Sequence, residues 1–203
     1  MSLLIDDAFI RTWHPSYDEI ESDEPEYQLL VDRVARDMRS RGTIRYDTFL
    51  AICRWKKAIR AVRYAGIERY DQVYEPAFRR AAVEAPSRQL AVLLEPGVKL
   101  PGLSVPTAST IVHFIHPRRM PIIDVRTVGV LLTAGLLSSR SMTLKHYEEF
   151  RYVVDCIRHR FAGWNLREID RALFAYHKQK LAPSAPVSSH RDEQDYSAVS
   201  MIG

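Results

Sequence analysis

The sequence is poor in cysteine. Only two of its 203 residues are cysteines, Cys53 and Cys156. Two thiols are too few for a disulfide framework, a four-cysteine iron–sulfur site or a zinc ribbon. We therefore expect a reduced, cytoplasmic protein without a metal site.

Long apolar runs and strand patterns are missing as well. No stretch approaches the roughly 18 apolar residues of a membrane-spanning helix, and no signal peptide is recognisable, so we expect no membrane partner. No segment alternates apolar and polar residues between turn signals, as strands would. Helical spacing is present instead, and a first helix after Pro25 places six apolar residues on one face: Tyr27, Leu30, Val31, Val34, Ala35 and Met38. The sequence predicts an all-α fold.

Charge is distributed unevenly along the chain, although the formal net charge is only +4. The first 26 residues contain eight acidic residues and a single Arg or Lys. We expect an acidic N-terminal arm over 1–24, either flexible or a docking segment that packs in part through Trp13 and Tyr17. A helical domain over 25–180 follows. A tail over 181–203, rich in Ala, Pro and Ser, is predicted to be disordered.

A basic run without an intervening acidic residue occupies a second predicted helix that begins near Tyr46. Four of its side chains are spaced to share one helix face: Lys56, Lys57, Arg60 and Arg63. Such a stripe suits a row of phosphates. A solvated helix face would have the same pattern, so both interpretations remain open.

A tight turn is predicted at 100–108, where the sequence reads Leu-Pro-Gly-Leu-Ser-Val-Pro-Thr-Ala. Pro101 and Gly102 favour the turn, and Pro106 suits the first turn of a following helix. Free N–H groups at a helix start can bind a phosphate, and Lys99 would add a positive charge beside them. An ordinary turn between two helices is the alternative interpretation.

A single carboxylate, Asp124, follows the apolar run Pro121-Ile122-Ile123. An aspartate at this place is a good N-cap for a helix starting at Val125. Arg126, two residues on, would either contact a phosphate or pair with Asp124 and lower its pKa.

The turn and the carboxylate together carry a family resemblance. Leu100-Pro101-Gly102 with Thr107-Ala108, and Asp124 placed 22 residues after Gly102, resemble the helix-hairpin-helix DNA glycosylase superfamily. Its members include endonuclease III and the adenine glycosylases, whose hairpin reads L-P-G-V-G-x-x-T-A. The run that ends at Asp124 is most similar to the F-P-I-L-D of the adenine-glycosylase branch. The match covers about residues 88–132.

The resemblance implies a helix-hairpin-helix, DNA-glycosylase-like helical domain that binds double-stranded DNA irrespective of sequence. It implies Asp124 as the catalytic residue, which would stabilise the positive charge that develops on the sugar. Pro106 stands where bifunctional members carry a lysine nucleophile, so the implied enzyme is a monofunctional glycosylase. No cofactor is implied and no iron–sulfur cluster, although the hairpin could hold a monovalent cation. The residues expected to contact the DNA backbone are Lys99, Gly102, Ser104, Thr107, Arg126, Lys56, Lys57, Arg60 and Arg63.

Departures from the family pattern keep other functions open. Ser104 replaces the second hairpin glycine, and no glutamine-rich motif occurs near 46–58. Together with Pro106, these differences favour the alternative of a non-catalytic helix-hairpin-helix DNA-binding module. A third alternative is a helical protein-interaction domain, in which the acidic arm and the basic run would recognise another protein.

Overall fold

Helices make up the regular secondary structure of the protein. The computed structural model describes residues 3–96, 98 and 100–182, and no strand occurs among these residues. The helices are α1 (Asp7–Ser16), α2 (Glu24–Arg41), α3 (Tyr46–Trp55), α4 (Ile59–Tyr64), α5 (Ile67–Arg69), α6 (Glu75–Ala82), α7 (Pro86–Leu94), α8 (Val105–Ile115), α9 (Val125–Thr133), α10 (Leu144–Arg160) and α11 (Leu166–Tyr176). The prediction of an all-α fold is confirmed for the described part of the chain. Most of the predicted tail lies outside it.

Local sequence signals account for the best-defined helix, α2. Pro25 occupies its first turn, and Gly42 ends it in the left-handed conformation with φ of 65°. The helix buries Tyr27, Leu30 and Val34 against the rest of the core. None of its helix-capping signals depends on distant residues, which is why the sequence predicts this element well.

A π-helical turn, Tyr70–Tyr74, joins α5 to α6 directly before Pro76. Proline has no N–H to donate to the preceding turn, and a π-helical turn is one way in which a helix accommodates that loss. The turn directs the side chains of Tyr70 and Tyr74 into the core, where both rings contact Phe49. The π-helical turn before this proline therefore contributes to the aromatic core.

The segment after Trp55 departs from the predicted second helix. The chain leaves α3 at Trp55, takes a left-handed conformation at Lys57 with φ of 56°, and starts α4 at Ile59. The N–H of Ala58 donates to the carbonyl of Cys53 at 2.7 Å, which closes the turn. The basic side chains consequently do not share one helix face. Lys56 lies in the turn between α3 and α4, as does Lys57.

Helix α1 lies inside the segment predicted as an acidic arm, and it packs on α11. Phe9 and Ile10 are buried, and the ring of Trp13 meets that of Tyr176 edge-on at 5.1 Å. Of the two possibilities for the acidic segment, packing applies to α1. None of the described helices combines the length and apolar character needed to cross a bilayer.

A buried arginine connects α11 to the start of α2. Arg167 is 7% exposed and forms ion pairs with Asp23 at 2.9 Å, Glu24 at 3.3 Å and Asp170 at 3.1 Å. Its guanidinium also lies over the ring of Trp55, at the end of α3. A buried cation with several carboxylate partners fixes the relative position of these helices.

A buried histidine makes stability dependent on pH. The Met120 carbonyl accepts a hydrogen bond from His113 Nδ1 at 2.6 Å, so in the neutral ring Nε2 accepts one from the Tyr27 hydroxyl at 2.8 Å. Burial lowers the pKa of His113 from 6.5 to about 4. The unfolded chain therefore binds this proton at higher pH than the folded protein does.

We expect the free energy of unfolding to be unaffected by His113 above pH 6.5 and to fall as the pH drops towards 4. The loss amounts to about 3 kcal/mol. Urea unfolding at a series of pH values measures it, and His113→Gln should flatten the profile. His159→Gln, at an exposed position, is the control and should leave the slope unchanged. Equal slopes in all three proteins would contradict the prediction.

Candidate active site and nucleic-acid interface

A cleft of about 660 Å³ lies between the α3–α4 turn, the 100–104 hairpin and the start of α9. We call it the Asp124 cleft. Seven of the residues predicted to bind or to catalyse line it: Lys56, Lys57, Arg60, Gly102, Ser104, Thr107 and Asp124. The structure therefore brings into one place side chains that lie up to 68 residues apart in the sequence.

Two of the described residues predicted to bind DNA are not part of the lining, and a third predicted residue is not described. Arg63 is exposed on α4, and Arg126 lies in the first turn of α9, two residues after Asp124. Lys99 lies outside the described residues. Among the described residues, the basic side chains of the cleft thus come from the α3–α4 turn and the first turn of α4.

The hairpin runs directly into α8. Leu103 N–H donates to the Leu100 carbonyl at 3.0 Å, and Ser104 is the N-cap in an extended conformation. The Ser104 hydroxyl lies 3.1 Å from that of Thr107 and makes no hydrogen bond to the helix backbone. The first N–H groups of α8 have no acceptor within the helix, as at any helix start. Pro106 contributes none.

Gly102 lets the hairpin approach the start of α4. Its φ is +74°, and a Cβ at this position would lie 2.7 Å from the carbonyl oxygen of Arg60. The Tyr74 hydroxyl donates a hydrogen bond to the Pro101 carbonyl from the other side. The hairpin is therefore held between the backbone of α4 and the aromatic core.

We expect Gly102→Ala to lower the free energy of unfolding by about 2 kcal/mol, through backbone strain and the clash with Arg60. Gly42→Ala is the matched control, since Gly42 has a similar φ of +65° with no atom within 4 Å of its Cβ position. That control carries only the conformational strain, about 1 kcal/mol. Urea unfolding compares the two variants. Equal losses would contradict the close approach seen at Gly102.

The two carboxylate oxygens of Asp124 have different roles. Oδ1 accepts the N–H of Arg126 at 2.9 Å, and Thr127 completes a capping box at the start of α9. Oδ2 faces Lys56, whose Nζ lies 3.2 Å away. The helix-capping role expected of Asp124 is therefore compatible with a carboxylate oxygen in the cleft.

Positive groups hold Asp124 in its ionised form. Burial would raise its pKa, but the nearby Lys56 ammonium and the hydrogen bond from Arg126 N–H outweigh burial and lower it. The Arg126 guanidinium adds a contact at 3.5 Å and lies over the ring of Phe174. Of the two roles expected for Arg126, pairing with Asp124 is the one present here. The cleft thus contains a carboxylate that stays negative at neutral pH.

A second carboxylate, which the sequence motifs did not indicate, lies close to this pair. Asp170 of α11 is 18% exposed and accepts a hydrogen bond from Arg167 at 3.1 Å. Burial raises its pKa, the positive charges of Arg167 and Lys56 oppose that rise, and the negative charge of Asp124 adds to it. In the sequence, the only sign of Asp170 was the spacing of charged residues three and four positions apart, beside the apolar face of α11.

Comparison of the chain with protein-family models, with curated proteins and with solved structures found no match. The function is therefore inferred from the residues of the cleft and their contacts. Three of these residues matter most: Lys56, Gly102 and Asp124.

Proposed function

We propose that the protein is a helix-hairpin-helix DNA-binding protein of the DNA glycosylase type, which excises a base by hydrolysis of its N-glycosidic bond through Asp124. One observation carries the proposal. An ionised carboxylate, the hairpin and the basic α3–α4 turn line the same cleft.

The walls of the cleft are suited to a phosphate backbone. On one side lie the hairpin and the N–H groups at the start of α8. On the other side Lys57 and Arg60 are exposed. Main-chain N–H groups and flexible cations contact phosphates without reading bases, so binding is expected to be independent of sequence.

The chemistry follows from the position of Asp124. A base inside a duplex has to leave the stack before an enzyme can reach its glycosidic bond. A cleft of about 660 Å³ falls within the size range of small-molecule sites, so it has room for an extruded nucleoside. As the C1′–N bond breaks, positive charge develops on the sugar, and the Asp124 carboxylate stabilises it and orients the attacking water. Pro106 has no nucleophilic group, so water is the nucleophile in this step.

A non-catalytic DNA-binding module is the second candidate, and one contact favours it. Lys56 Nζ lies 3.2 Å from Asp124 Oδ2, the oxygen that a sugar would have to approach. If the ion pair persists with DNA bound, the carboxylate is neutralised where excision needs it. The hairpin would then bind DNA without cutting a bond.

Two assays test the proposal. The first measures release of free base from duplexes that contain uracil, adenine opposite oxidised guanine, or an alkylated purine. The second measures duplex binding between about 50 and 200 mM salt, across which phosphate-dominated affinity falls steeply. Base release from any duplex supports the glycosylase. Salt-dependent duplex binding without release of a base favours the non-catalytic DNA-binding module. If the protein binds no duplex at low salt, both DNA-binding proposals are wrong and a protein-interaction domain is favoured.

A further inference from the structure

A second cavity lies at the other end of α8 from the Asp124 cleft. Its volume is about 330 Å³, and the start of α7, the turn after α8 and one side of α10 border it. We call it the arginine pocket, after its lining residues Arg119, Arg151 and Arg158. The hairpin precedes α8 and Arg119 follows it, so 11 helical residues, about 16 Å of helix, lie between the two sites. Among the described residues, none lines both.

Positive charge dominates the lining of the arginine pocket. Its described lining contains three guanidinium groups and one carboxylate, that of Asp155, so its formal charge is +2. Asp155 lies 3.2 Å from Arg158 and 3.6 Å from Arg151, and it holds both arginines on the same side of α10. Arg151 also pairs with Glu148 at 2.9 Å, which is not part of the described lining. The carboxylate opposes an anion, but the three cations outweigh it.

Hydrogen-bond donors accompany this charge. Arg119 is exposed and brings a planar guanidinium with five N–H groups to the pocket. The Arg158 guanidinium donates to the Arg118 carbonyl at 2.9 Å. Its Nε atom, however, is buried and has no hydrogen-bond partner within the described part of the chain. A buried N–H group without an acceptor is destabilising, and a bound oxyanion would supply acceptors here.

The start of α7 contributes neutral donors. The N–H groups of Arg88 and Gln89 already donate to the Ala85 carbonyl. Pro86 occupies the first helical position and has no N–H to offer, and no side chain of the described residues caps the helix. The N–H of Ser87, the second helical residue, has no acceptor within the helix, as is usual at a helix start. Ser87 lines the pocket, so its N–H and hydroxyl can both serve an anion there.

A phosphate group with two negative charges matches these donors in charge and geometry. Guanidinium groups bind phosphate oxygens through paired N–H groups, and the pocket offers three of them around one volume. A volume of about 330 Å³ is at the lower end of the range for small-molecule sites. A duplex backbone would instead need a row of cations along an open surface.

We propose that the arginine pocket binds the phosphate dianion of a small phosphate monoester. The inference is independent of the proposed function, since the pocket shares no described residue with the Asp124 cleft.

Calorimetric titration of the full chain with methyl phosphate, at low salt and without DNA, tests the inference. Methyl phosphate is a dianion above about pH 7, because the second pKa of a phosphate monoester is about 6. Dimethyl phosphate is a monoanion of similar shape and is the comparison probe. At pH 7.5 we expect methyl phosphate to bind at least about tenfold more tightly than dimethyl phosphate, through its additional charge-assisted hydrogen bonds.

Two variants locate the binding site. Arg119→Gln and Arg158→Gln should each weaken methyl phosphate binding about tenfold or more, the usual effect of losing a hydrogen bond to a charged group. Arg119 is exposed, so its replacement should leave the fold intact, and urea unfolding checks this for both variants. Arg39→Gln is the matched control. Arg39 is an exposed arginine in the last turn of α2, and its replacement should leave methyl phosphate binding unchanged.

Several results would overturn the inference. Absence of methyl phosphate binding is one, and wild-type affinity in Arg119→Gln is another. Equal affinities for the two probes would mean that the pocket takes a phosphodiester and not a monoester. Duplex binding by Arg119→Gln should match that of wild type, and a loss as large as the loss of methyl phosphate binding would make the pocket part of the nucleic-acid interface. None of the methyl phosphate measurements depends on base release, so either proposal can fail without the other.

Discussion

Asp124→Asn should lower the rate of base release roughly 100-fold to 1,000-fold, the usual effect of removing one preorganised electrostatic group from an active site. Asparagine caps helices as well as aspartate does, so its side-chain oxygen can still accept the N–H of Arg126. The substitution removes the negative charge and changes little in shape. Its main effect should therefore appear in the rate of base release. The free energy of unfolding should fall as well, because the variant loses the partly buried ion pair with Lys56.

Asp6→Asn is the matched control for this variant. Asp6 caps α1 by accepting the N–H of Phe9 at 2.8 Å, and it is remote from the cleft. Single-turnover base release and duplex affinity are measured for both variants. The control should retain wild-type release. If Asp124→Asn released base as fast as wild type, Asp124 would be a helix cap and nothing more.

Arg167→Ala should lower the free energy of unfolding by about 3–5 kcal/mol, because it leaves buried carboxylates without their cation. Arg167 has three acidic partners and is 7% exposed, and Asp170 would lose a hydrogen bond that opposes the cost of its burial. Urea unfolding monitored by tryptophan fluorescence measures the loss. We also expect weaker DNA binding, since the guanidinium lies over Trp55 at the end of α3, next to the α3–α4 turn.

An exposed ion pair provides the comparison. Arg33 pairs with Asp47, and their side chains are 38% and 55% exposed. Arg33→Ala should change the free energy of unfolding by less than about 1 kcal/mol, as is usual for solvent-exposed pairs. A similar loss in the two variants would mean that the buried cluster contributes no more than a surface pair.

Local signals account for the parts of the fold that the sequence predicts. Pro25 and Gly42 bound α2, and a capping box of Asn165 and Glu168 opens α11. Each of these signals involves residues within a few positions of one another. Tertiary contacts change them little, so the sequence alone is sufficient.

The break after Trp55 illustrates what local signals do not reveal. No proline or glycine marks residues 55–58, so the basic run reads as part of one continuous helix. The turn there is instead adjacent to two distant elements: the start of α9 through Lys56 and Asp124, and the hairpin through the contact of Gly102 with Arg60. These contacts join residues more than 40 positions apart, and no pattern in a single sequence indicates them.

Packing of α1 on α11 has a consequence for when the protein can fold. Trp164 Nε1 donates to Asp7 across 157 residues, and Arg167 donates to the Tyr17 hydroxyl across 150. Contacts between residues this far apart in the sequence form late, because the chain loses the entropy of closing so long a loop before the contact contributes any stability. On the ribosome, α1 would have to wait for α11 to emerge. Asp170 would influence the charge of Asp124 and Lys56 only after α11 has formed.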